Sequence, residues 1–78
     1  MARRDLLHLT KLLKFKEWME EDGWESVPVK GEYEVLRLIK LKEKPVIFYS
    51  RLGGQHASID DNFVPLVRRF LNKDKKVN

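Results

Sequence analysis

His8 and His56 are the two histidines of this 78-residue chain, and there is no cysteine. His56 lies near Arg51, Asp60 and Asp61, where it could act as a general base for RNA cleavage with Arg51 on the phosphate. Its plainer role is a turn histidine bonded to Asp60 or to backbone. His8 sits among leucines and reads as a partly buried, satisfied side chain. The two histidines are not at metal-ligand spacing and no thiolate supports them, so no metal site is expected. Asp60-Asp61 carries the charge to hold magnesium, yet carboxylates just before an amphipathic stretch more commonly cap a helix. No Gly-x-Gly-x-x-Gly or Walker pattern occurs, and no cofactor is implied. The chain is expected to be non-catalytic, a ribonuclease through His56 being the exception.

Charge is the stronger signal. The net charge is +4, distributed as +4 over residues 1–16, −6 over 17–34, +4 over 35–51 and +2 over 52–78. Arg37, Lys40, Lys42, Lys44 and Arg51 fall on one segment, and Arg68, Arg69, Lys73, Lys75 and Lys76 on another. Such cations favour polyanions by counterion release. Tyr33, Phe48 and Tyr49 lie among the first group and would stack bases from an open sheet face, or else fill the core. Arg37, Lys40, Arg51, Arg68 and Arg69 are the candidate phosphate contacts, and Tyr49 the candidate stacker. Glu17, Glu20, Glu21 and Asp22 run against the preference of a helix C-terminus for cations. They are a solvated face, or a patch of Glu17, Glu20 and Glu21 that meets a basic protein partner.

Hydrophobic residues make up 42% and charged residues 36%, a globular balance, and no apolar run approaches the ~20 residues that span a bilayer. The basic start at Met1-Ala2-Arg3-Arg4 lacks a clean apolar core behind it and is not expected to be a signal peptide. A cytoplasmic protein is expected, in a host cell if phage-encoded, without a membrane partner. From Asp5 to Asp22 the pattern is helical: Leu6, Leu9, Leu12, Leu13, Phe15 and Met19 form one stripe, with Leu7 and Trp18 off it. Asp5 or Thr10 would be the cap. Gly23 ends that helix, with Trp24 folding back as a Schellman motif requires. Trp24 to Val29 is an edge strand or an extended arm because Pro28 cannot donate to a central ladder. Lys30-Gly31 is a turn, and Tyr33 to Leu41, apolar on both parities, is a central strand covered partly on both faces. After a loop at Lys42-Pro45, Val46 to Arg51 is the return strand. Gly53-Gly54 turns again, and Gln55 to Ile59 adds a short strand. A last helix starts from a cap at Asp61 or Asn62, since a cap at Asp60 would put Pro65 too deep.

The order of these elements, with Asp22-Gly23-Trp24 and then Lys30-Gly31, resembles the HicA toxin family, small mRNA interferases with a fold similar to the double-stranded-RNA-binding domain. That family has a Gly-Ser-His pattern where this chain reads Gly31-Glu32-Tyr33, so the resemblance implies the fold and not the ribonuclease activity. The segment Pro28-x-Lys30-Gly31-x-Tyr33-Glu34-Val35-Leu36-Arg37 is also similar to small uncharacterised proteins of phages and prophages, which implies an accessory role. Asp60-Asp61-Asn62 stands where the double-stranded-RNA-binding domain carries a lysine-rich helix start, so its usual mode on duplex RNA is not expected.

The expectation is one α+β domain over residues 1–78, α-β-β-β-(β)-α, with an antiparallel sheet and two helices on one face. The ordered core spans about 5–72, and 73–78 is a basic polar tail. Its expected function is a small nucleic-acid-binding accessory protein, for RNA or DNA. The alternative is an inhibitor or adaptor of a host protein that uses the acidic surface, and a homodimer through the edge strand is compatible with either.

Overall fold

The computed structural model describes the backbone of residues 3–50 and 54–76, and side-chain surroundings for 7–50 and 54–73. Five strands and two helices occur in the order β1 (Arg3–His8), α1 (Leu12–Glu20), β2 (Glu25–Val27), β3 (Glu34–Ile39), β4 (Val46–Tyr49), β5 (His56–Asp60) and α2 (Val64–Lys76). The sheet is antiparallel throughout, ordered β1-β5-β4-β3-β2. Inward residues of the strands (Leu7, Leu36, Leu38, Val46, Phe48, Ala57, Ile59) pack with Phe15 and Met19 of α1 and Val64, Val67 and Phe70 of α2. The α+β class and the placement of both helices on one face are as expected, and β5 supplies the optional strand.

The start of the chain differs from its helical reading. Residues 3–8 form a strand, followed by a 3-10 turn at Leu9–Lys11, and the α-helix begins only at Leu12. Tertiary pairing wins over local periodicity here: without β1, the edge of β5 would leave its N–H and C=O groups unpaired. Leu7, off the helical stripe, is fully buried on the strand, whereas Leu13, on the stripe, is 64% exposed. Neither Asp5 nor Thr10 is the cap: His8 caps the 3-10 turn, its Nδ1 accepting from the Thr10 N–H at 3.2 Å, and α1 itself starts from Lys11 with no side-chain cap.

The helix stop follows the sequence reading closely. Gly23 has φ +93°, its N–H donates to the Glu20 carbonyl at 3.1 Å, and the Trp24 N–H reaches back to Met19 O at 3.2 Å. This is a Schellman closure. A Cβ at Gly23 would lie 3.6 Å from Lys40 Cε, an ordinary contact. Gly23→Ala is therefore expected to cost about 1 kcal/mol through backbone conformation rather than a clash, read from the urea midpoint.

Pro28 follows β2, an edge strand as expected. In β3, Leu36 and Leu38 are buried while Val35 and Ile39 are each 39% exposed. The expected cover on both faces is absent because both helices lie on the same side. At the other end, Asp60 is the cap, its carboxylate accepting from the Asn62 N–H at 2.9 Å. A 3-10 turn at Asp61–Phe63 lies between cap and helix, so Pro65 is the second residue of α2 and its missing N–H costs nothing. Helix α2 continues to Lys76, taking in four residues of the expected tail.

Candidate nucleic-acid interface

The β3–β4 hairpin carries the first part of the site. Its turn closes with Glu43 N–H on Lys40 O at 3.0 Å, and Lys42 takes φ +68°, the only positive value among described non-glycine residues. That left-handed position costs a lysine of order 1 kcal/mol. Lys42→Gly is therefore expected to raise stability by about 0.5–1 kcal/mol, measured by thermal or urea unfolding.

The hairpin meets the N-terminal part of α2 across a cleft of about 510 Å³, lined by Lys40, Lys42, Lys44 and Arg69, with Trp24, Phe63 and Asn62 and the acidic Asp22 and Glu43. A second depression of about 340 Å³ shares Asp22, Leu66 and Arg69 with it and adds Trp18 and Glu21. A third, about 320 Å³, shares Lys44, Asn62 and Phe63 and runs onto the outer sheet face at Ile47, Tyr49 and Asp60. Through these shared residues the three form one continuous band. Among the described residues, every half-buried Trp, Tyr or Phe (Trp18, Trp24, Tyr49, Phe63) lines this band.

The residues singled out from sequence do not all converge. Arg37 lies on the outer sheet face in a fork with Glu34: Nε to Oε1 is 2.9 Å and Nη2 to Oε2 is 3.0 Å, with side chains 15% and 8% exposed. Its charge is already matched. Lys40 donates to the Asp22 carbonyl at 2.7 Å, pairs with Asp22 Oδ2 at 3.5 Å and stands 5.9 Å from the Trp24 ring centroid, so it ties the hairpin to the end of α1. Tyr49 is half-buried in the third depression. Arg68 and Arg69 are both exposed, but only Arg69 lines the band, since adjacent helical residues point ~100° apart. Arg51 lies outside the described residues. Phe48 is fully buried and belongs to the core.

The acidic set is partly neutralised where it stands. Glu20 pairs with Lys16 at 3.4 Å, Glu21 lines the second depression with Arg69, and Glu17 is exposed. His56 is brought not to Asp60 but to His8. The two face each other across β1 and β5, ring centroids 5.0 Å apart and nearly perpendicular. Nothing in a 48-residue separation signals this pairing, because it depends on the strand that the periodicity conceals. His8 Nδ1 also lies 2.8 Å from Thr10 Oγ1.

The Glu34 carboxyl is held below its ordinary value of 4.5, first by the Arg37 hydrogen bonds, which outweigh the opposing effect of burial, and then by the Lys30 N–H at 3.2 Å. A depressed carboxylate stabilises the fold above its unfolded value, and that contribution disappears as pH falls through the folded one. The Tm advantage of the parent over Glu34→Gln should be full at pH 7 and shrink progressively below about pH 4.5. Lys42 and Lys44 belong to the basic hairpin segment without being singled out as phosphate contacts, Trp24 is read only as part of a helix stop, and Phe63 carries no sequence mark of a surface position. No protein-family model matches this chain, and no curated protein or solved structure matches it either, so the geometry itself carries the functional reading.

Proposed function

We propose that this protein is a small, non-catalytic nucleic-acid-binding module. One observation supports the reading above the others: the hairpin and the last helix, both basic but separate in sequence, contribute Lys42, Lys44 and Arg69 to one cleft alongside Trp24 and Phe63. Cations for phosphate and aromatic faces for bases are the two components such binding needs. Arg37 and Lys40, engaged by Glu34 and Asp22, serve the fold instead. An accessory role in a host cytoplasm, as the resemblance to small phage and prophage proteins implies, is part of the same proposal. An inhibitor acting through Glu17, Glu20 and Glu21 has less behind it, because Lys16 pairs with Glu20 and Arg69 borders Glu21.

Fluorescence anisotropy with labelled RNA and DNA oligonucleotides tests the proposal. Binding at about 1–100 μM is expected at moderate salt, as for a sequence-independent phosphate reader. With contacts through Lys42, Lys44 and Arg69, raising salt from about 50 to 200 mM should weaken it roughly 20- to 40-fold. Absence of binding at low salt, or binding indifferent to salt, would overturn the proposal.

A further inference from the structure

Resting on that reading, we infer that the ligand is a single strand, bound along the band with its bases against the aromatic walls and its phosphates turned to Lys42, Lys44 and Arg69. Three features carry this. The aromatic side chains are half-buried in the walls of depressions rather than raised on a flat surface. Only an unpaired base, free to leave its stack, can put its face against them, whereas a duplex presents base edges and phosphates.

The second feature is the alternation of charge. Glu21, Asp22, Glu43 and Asp60 line the same band as the cations. A duplex carries one charge per ~1.7 Å in two fixed rows, and a row laid here would bring phosphates against those carboxylates. A single strand rotates about its backbone bonds and can direct each phosphate to a cation. Asn62, exposed between the cleft and the outer depression, adds an amide donor and acceptor where a splayed base edge would lie.

The third feature is length. The molecule measures 33 × 29 × 21 Å, so its surface limits the band to a short strand, for which about four nucleotides is the low end of the range for single-strand grooves. Stacking gives little base discrimination, and sequence preference should be weak.

The test titrates the whole protein with single strands of two to twelve nucleotides and with a blunt duplex of the same sequence, reading anisotropy and tryptophan fluorescence together. Single strands are expected to bind at least tenfold tighter than duplex, to stop gaining affinity beyond about four to five nucleotides apart from statistical factors, and to quench the tryptophans. Trp24→Phe should retain part of the affinity and reduce the quench. Equal or tighter duplex binding, or single-strand binding that leaves wild-type tryptophan fluorescence unchanged, would overturn the inference while nucleic-acid binding stands. No binding to any probe would overturn both.

Discussion

Replacing Phe15 by alanine is expected to remove about 3–5 kcal/mol of stability and leave much of the chain unfolded at 25 °C. Phe15 is fully buried where α1, α2 and the sheet meet. Its ring lies 5.0 Å from Phe48, 5.2 Å from Phe70 and 5.7 Å from Trp18, the first two edge-on. Such pairs add to the simple burial of an aromatic ring, and the sheet cannot move inward to fill the gap. A domain of this size has only about 4–12 kcal/mol of total stability, so this one loss is comparable with all of it. Phe15→Leu, which keeps most of the volume, should cost far less. Urea unfolding of the pair checks this, and a Phe15→Ala loss below about 1 kcal/mol would mean that the core is not centred on this ring.

The largest expected effect on binding comes from reversing Lys42, Lys44 and Arg69 together. The triple Lys42→Glu, Lys44→Glu, Arg69→Glu removes the phosphate partners and adds carboxylates, and should weaken nucleic-acid binding by roughly 100-fold or more at 150 mM salt. All three side chains are exposed, so circular dichroism and Tm should change little. Net charge alone would also reduce binding, which the matched triple Lys14→Glu, Arg68→Glu, Lys73→Glu controls. Those residues are equally exposed and line none of the three depressions. About fivefold or less is expected from the control. Equal losses in the two triples would mean a diffuse field and no defined site.

Much of the fold is legible in the residues. Gly23 is readable because only glycine takes its φ cheaply, and Pro28 because it cannot serve an interior strand. The apolar runs of β3 and β4 give themselves away by composition. What stays hidden is set by tertiary partners. The leucines at 6, 9, 12 and 13 fit a helical wheel, yet the open edge of β5 draws residues 3–8 into the sheet. Counting Pro65 along a single α-helix disfavours Asp60 as a cap, and the intervening 3-10 turn changes the count.

The site is less legible than the fold. Basic composition on the hairpin and last helix marks the two elements that meet at the cleft, but not which of their cations lines it. Arg37 has no sequence mark to distinguish it from Lys44, and only the bulge between Glu34 and Leu36 brings the Glu34 carboxylate onto its guanidinium. Trp24 and Phe63 have structural reasons to be where they are, and their position on the cleft wall emerges only when β3–β4 and α2 are placed side by side. The His8–His56 pair is hidden for the same reason as β1.

The most direct test of the cleft is to follow the amide and indole N–H resonances of 15N-labelled protein while a single-stranded octanucleotide is added. Perturbations should concentrate at the Trp24 indole, at residues 42–45 and at residues 62–69, with Arg37, Val35 and Glu17 little changed. Perturbations centred on Val35, Arg37 and Ile39, or on the acidic turn of α1, with the hairpin and α2 silent, would contradict the account.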